Sequence, residues 1–299
     1  MDGGIAMIQL NGSRVFVGAT QAKQVCGPDG SPLWAGGNDF RSTMPGGYSF
    51  ARSSSARVWV GGVLTSVSSN VARFADDPYT SANLGLMLEN AATNLVTTNR
   101  DLSSWTNSNC TVGTATGIDG TSGASRLTAG SANAKRSLAV TASAGWHCFS
   151  TWMRRISGYG DVNLSLDDGA FQHSVAGALI DSRGWVRVWW RQSSANPTIA
   201  IILAEAGDVI DVDFVQVEDG AVPTSEIDGG ATRAAETLTC PIYGALSAAA
   251  LHAARPTLPL KRYSIIDRIL DGASPIITFA ACDSPLGGGR PLPELMVAL

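Results

Sequence analysis

Between residues 148 and 217 the chain alternates short runs rich in Val, Ile, Trp and Thr with clusters of turn residues, and no helical period interrupts them. The runs predict strands at 148–154, 161–166, 171–175, 185–191, 198–204 and 209–217. Ser157-Gly158, Asp167-Asp168-Gly169, the segment 181–184, Asn196-Pro197 and Ala206-Gly207-Asp208 separate them. This even spacing predicts an antiparallel sandwich rather than alternating β and α units, within a β signal that runs from Asn94 to about Ile227.

The ends read differently. Residues 1–48 are rich in Gly and Pro, with short apolar pieces at 7–10 and 15–18 that suit short strands or extended arms. Arg57-Val58-Trp59-Val60, Gly61-Gly62 and Val63-Leu64 read as a hairpin, because a two-residue loop demands positive φ. Residues 85–89 are another short apolar strand. In the last 60 or so positions, 245–254 is Ala-rich and predicts a short helix stopped before Pro256. Residues 265–270 fit either state, 276–281 fit a strand, and the tail from Pro285 reads as an arm or small docking subdomain.

Composition narrows the function classes. Val, Ile, Leu and eight Trp supply enough apolar surface for a real core although only 15% of residues are charged. Net charge is −4, and no Lys/Arg run exceeds two residues, which argues against a nucleic-acid partner. Cys26, Cys110, Cys148, Cys240 and Cys282 are far apart and form no C-x-x-C pair, so buried free thiols are expected. No apolar run approaches the ~20 residues that span a bilayer, and no basic-then-apolar leader is present; membrane insertion and secretion are not expected. There is no G-x-S-x-G, H-E-x-x-H or P-loop, His147, His173 and His252 are isolated, and the acidic pairs Asp76-Asp77 and Asp167-Asp168 read as solvated turns; an enzyme is not expected.

The sharpest surface candidate is the run 185–191. Alternation puts Val186, Val188 and Trp190 on one face, suited to the core. Trp185, Arg187, Trp189 and Arg191 share the other, an aromatic–cationic ladder that suits stacked sugar rings or a subunit interface. A third reading has Arg187 merely covering Trp185. The 148–154 strand is apolar on both faces, which predicts a central strand covered on both sides.

Several phrases recur in an order that resembles a known family: Phe50-Ala51-Arg52-Ser53, Ala72-Arg73-Phe74, Gly85 to Glu89, Ala92-Thr93-Asn94-Leu95, Trp105-Thr106, Asp119-Gly120, Gly184 to Val188, Gln216 to Gly220, Pro223-Thr224-Ser225 and Thr232-Arg233-Ala234-Ala235-Glu236. The series, over about 48–236, resembles bacteriophage virion proteins of tails, head spikes and fibres that carry a jelly roll like those of carbohydrate-binding modules. Glu226 stands where that family usually has an aromatic, and the match ends after Cys240. The phrases themselves read as strand ends and turns.

The resemblance implies a mainly β chain: an antiparallel jelly-roll β-sandwich with extended N-terminal and C-terminal arms. Composition and pattern along the chain divide it into 1–48 as an arm or small β region, 49–92 as a β-hairpin connector, 93–235 as the sandwich and 236–299 as an arm or docking subdomain. The resemblance implies location in a virion assembled in the host cytoplasm. The implied partners are other virion proteins, further copies of the chain as a trimer or higher homo-oligomer, and host surface polysaccharide. Modules of this type often hold a structural calcium between first and last strands, which makes Asp101 and Asp213 candidate ligands. Two functional readings follow, a glycan-binding attachment module and a purely architectural subunit, with a polysaccharide depolymerase third.

Overall fold

The computed structural model describes residues 43–44, 48–81, 83–177 and 184–239 in full, and the backbone of 178–179 and of the remaining strands. An N-terminal meander pairs β1 (Ala6–Leu10), β2 (Ser13–Val17), β3 (Gln24–Cys26) and β4 (Pro32–Ala35) in chain order, followed by the short β5 (Asn38–Asp39). The next segment holds β6 (Ser49–Ala51), β7 (Ala56–Val60), β8 (Val63–Val67), β9 (Phe74–Asp76), β10 (Asn83–Glu89) and β11 (Ala92–Thr93). Then come β12 (Thr106–Ser108), β13 (Cys110–Ala115), β14 (Ala124–Ala129), β15 (Ala134–Ala139), β16 (Gly145–Ser157), β17 (Val162–Ser165), β18 (His173–Ser174), β19 (Val186–Ser194), β20 (Thr198–Leu203) and β21 (Val209–Asp219). The chain ends with β22 (Thr232–Arg233), β23 (Thr237–Cys240), β24 (Gly244–Ser247), β25 (Arg262–Leu270), β26 (Pro275–Ala281) and β27 (Leu295–Ala298).

Strands β12 to β21 form a jelly-roll sandwich. One sheet has the order β12-β15-β20-β17-β18 and the other β13-β14-β21-β16-β19. From β14 onward most connections cross between the sheets, so each crossing buries apolar residues between them. Leu127, Phe149, Met153, Ile199, Ile201, Leu203, Val212 and Val217 fill that space with no exposure. The six strands expected after residue 148 are β16 to β21. The strand β16 is central, and residues on both its faces are buried.

The outer face of the β16 sheet is covered too. In β21, Phe214 takes the left-handed conformation (φ 45°), and the register with β16 shifts between Ser150 and Trp152. This bulge turns Phe214 outward, where it packs with Trp152, Ile118 and Leu64. Leu64 belongs to the β7–β8 hairpin, whose register closes at Val60↔Val63 over Gly61 and Gly62, both at positive φ as expected. The hairpin is thus a cover for the sandwich, with Trp59 4.9 Å from Trp152 between ring centroids.

Beside this cover lies a buried ion cluster. Arg73 pairs with Glu89 at 2.5 Å and Glu236 at 2.6 Å, and Arg52 reaches Glu236 at 2.9 Å, all with unexposed side chains. Arg233 lies 3.2 Å from Glu89, and Ser225 hydrogen-bonds the same carboxylate. Burial works against the charge on Arg73, but Glu236 and Glu89 more than restore it, so its pKa stands above the ordinary arginine range. Every charge here comes from the phrases read as strand ends and turns. The cluster joins the 48–92 segment to the chain leaving β21.

Two terminal expectations are revised or settled. The helix predicted at 245–254 starts as a strand: β24 pairs with β23, and positions 248–254 lie outside the described residues. The ambiguous 265–270 stretch is strand, within β25, which pairs with β10, β26 and β5. The strand expected at 276–281 is part of β26.

Candidate functional site

The ladder of Trp185, Arg187, Trp189 and Arg191 lies on the outer face of β19, an edge strand of its sheet. The opposite face behaves as expected: Val188 is buried in the core, with Val186 and Trp190 packed against it. The ladder itself divides into a covered half and an open half.

Trp185 and Arg187 are the covered half. Trp185 packs against the Trp152–Phe214 cluster, and the Arg154 guanidinium lies 4.7 Å from its ring centroid. Arg187 does not cover Trp185. It turns to Glu226 at 3.4 Å and donates to Ser150 Oγ at 3.1 Å. Glu226 also accepts the Trp152 Nε1–H at 2.8 Å. The position that departs from the resembled family is therefore the acceptor that ties Trp152 and Arg187 together. These groups are internal joints between the sandwich and its cover.

Trp189 and Arg191 are the open half. Trp189 is half-buried, whereas Arg191 is exposed, with its guanidinium 5.6 Å from the Trp146 ring centroid. Trp146 is 54% exposed, which makes it the most open tryptophan of this face. The β16–β19 register places it opposite Ser193, one rung beyond Arg191. Trp146 lies outside the run 185–191, and the antiparallel register is what brings it to the ladder. His147 braces the junction: its Nε2 lies 2.9 Å from Ser143 O and 3.1 Å from Ser194 O. The face thus offers an exposed indole with a guanidinium over one side of its ring, which leaves the other side of the indole to stack a sugar ring and the guanidinium to donate to its hydroxyls.

The two carboxylates suggested for calcium each have other partners. Asp213 is buried with both carboxylate oxygens on Arg100, at 2.7 and 3.1 Å, and it also accepts the Ile118 and Phe214 amides. Asp101 is exposed and accepts the Ser103 amide. Among the described residues no group of three or more His, Cys, Asp or Glu could hold a metal ion. Arg100 supplies the positive charge at Asp213 instead, and it bridges to Asp119 at 2.7 and 2.8 Å. Asp211 is treated similarly, between Arg126 and Arg154.

Burial alone would raise the Asp119 pKa, but Arg100 and Thr121 hold it at about 2 against an ordinary 3.8. Because the folded-state pKa is depressed, its contribution of about 2 kcal/mol is present above pH ~4 and lost as pH falls toward ~2. Urea unfolding should therefore show Asp119→Asn less stable than wild type at neutral pH, with the gap closing toward that acid limit. A gap independent of pH would refute the linkage.

No protein-family model matches the chain, and no curated protein does. Among solved structures, a CBM22 xylan-binding domain from Paenibacillus barcinonensis aligns at 11% identity and TM-score 0.33, over 45% of this chain and 99% of that one. A CBM6 from a Zobellia galactanivorans laminarinase aligns at 10% identity and TM-score 0.28, over 44% and 97%. A CBM6 from Cellvibrio mixtus lichenase, solved with cellotriose, aligns at 13% identity and TM-score 0.29, over 44% and 98%. At these values the likeness adds nothing to what the strand order already establishes.

Proposed function

We propose that this chain is a non-catalytic structural subunit of a bacteriophage-like particle, and that its jelly roll attaches the particle to host surface polysaccharide through Trp146, Trp189 and Arg191. The observation that carries the attachment reading is the exposed Trp146, with the Arg191 guanidinium over its ring, on a face whose other tryptophans are buried or half-buried. The ordered phrases support the particle setting, and Arg52, Arg73, Glu89, Arg233 and Glu236 among them meet in the buried ion cluster. A binding role rather than hydrolysis is supported by the buried carboxylates of the sandwich: Asp211 and Asp213 are each held by arginines and stand ready for no substrate.

A glycan array on the purified chain tests the reading. The wild type is expected to retain a polysaccharide that Trp146→Ala binds at least about tenfold more weakly. Because Trp146 is exposed, that variant should melt within about 0.5 kcal/mol of wild type. Retention unchanged by Trp146→Ala and by Trp189→Ala would remove the site. An array with no hit at all would favour the architectural alternative, which the internal engagement of Trp185 and Arg187 also suits.

A further inference from the structure

The open half of β19 has a second property, in its backbone. The strand runs nine residues and, among the described residues, is paired only with β16. Its register is unbroken from Met153↔Val186 to Gly145↔Ser194, so successive residues direct their backbone groups alternately toward β16 and away from it. Arg187 sets the phase, because its amide donates outward to the Tyr79 hydroxyl at 3.1 Å. Trp189, Arg191 and Ser193 consequently present N–H and C=O groups outward, and among the described residues no strand pairs with them.

The edges of the other sheet are short. The strands β12 and β18 have three and two residues, while β13, the far edge of the β19 sheet, has six. The strand β19 is the longest of these edges, carries its only charges on Arg187 and Arg191, contains no proline, lysine or carboxylate, and shows no bulge in its pairing. Those are the usual devices that stop an edge from recruiting another strand.

We propose that β19 pairs antiparallel with β19 of a second copy of this chain, about a two-fold axis at Trp190. This register sets Trp189 opposite the partner's Arg191 and Arg191 opposite the partner's Trp189, so each guanidinium meets an indole. Both are outward-facing positions, so the two pairs exchange about four backbone hydrogen bonds. Centring the axis on Arg191 would oppose two identical charges, and centring it on Trp189 would oppose Arg187 to the partner's Arg191. Among these three registers the one at Trp190 alone is free of like-charge contact, and it is self-complementary, as an isologous interface requires. The two outer β19 sheets become one continuous sheet. The proposal does not rest on glycan binding.

Sedimentation equilibrium and amide hydrogen exchange on the full chain test it across a hundredfold range of concentration. The chain is expected to dimerise as concentration rises, with the Trp189 and Arg191 amides gaining protection in step. The Trp190 amide, bonded to β16, should be protected throughout. Arg191→Pro deletes an outward donor without touching the β16 ladder, and should raise the dissociation constant at least about tenfold. Should that variant misfold, Arg191→Asp keeps the donors, removes the guanidinium from the indole, and should also weaken the dimer. A chain that stays monomeric with both outward amides exchanging freely overturns the proposal. So does a dimer in which those amides remain unprotected, since it would use another surface.

Discussion

Arg73→Met is expected to lower the unfolding free energy by about 3–5 kcal/mol, the cost of leaving buried charge unpaired. Arg73 is wholly buried, and it neutralises both Glu89 and Glu236 while donating to Ser225 Oγ and the Arg57 carbonyl. Methionine fills much of the same volume, so the dominant loss is electrostatic rather than a cavity. Two carboxylates then face each other with only Arg52 and Arg233 to share, and burial already lowers the pKa of both of those arginines. Arg57→Met is the control. Its partner Asp228 is half exposed, and the loss should stay within about 1 kcal/mol. Denaturant unfolding of the three proteins decides the matter. A loss at Arg73 no larger than at Arg57 would mean that the cluster contributes little.

What could be read from the chain alone follows from which forces act locally. The strands from Cys148 onward announce themselves because β-branched and aromatic residues alternate between strong turn signals. Strands β12 to β15 do not: Thr106–Ser108, Cys110–Ala115, Ala124–Ala129 and Ala134–Ala139 are built largely from Ser, Thr, Ala and Gly. They are strands because neighbours supply the apolar contact, with Leu127 and Ala134 unexposed in the shared core. The ladder on β19 was legible as a face but not as two halves. The division depends on the β7–β8 hairpin, more than a hundred residues upstream, which covers Trp185 through Trp152. The ion cluster was legible only as scattered phrases. Arg52 and Glu236 are 184 positions apart, and one sequence carries no sign that such residues meet. The resemblance named Asp101 and Asp213 as calcium ligands, and it carried no sign that Arg100 pairs with Asp213.

The same cluster predicts that the sandwich does not stand alone. A fragment spanning 93–235 is expected to fail to reach a stable monomeric fold, whereas 48–240, which keeps every charge of the cluster, is expected to fold. The short fragment retains buried Arg233 and Glu218 but loses Arg52, Arg73, Glu89 and Glu236. It also loses Trp59 and Leu64, and thereby exposes Trp152, Ile118 and Phe214 on the outer face. Re-exposing large apolar side chains costs about 1.5–3 kcal/mol each, and the unpaired arginine adds to that. Against a total stability on the order of 5–15 kcal/mol, the sum removes most of the margin. Exposed aromatics beside the open β19 edge would then favour association. Near-ultraviolet circular dichroism and size-exclusion chromatography of the two fragments make the comparison. A 93–235 fragment that is monomeric and unfolds cooperatively at the temperature of 48–240 would show that the sandwich needs neither the hairpin nor the buried ions.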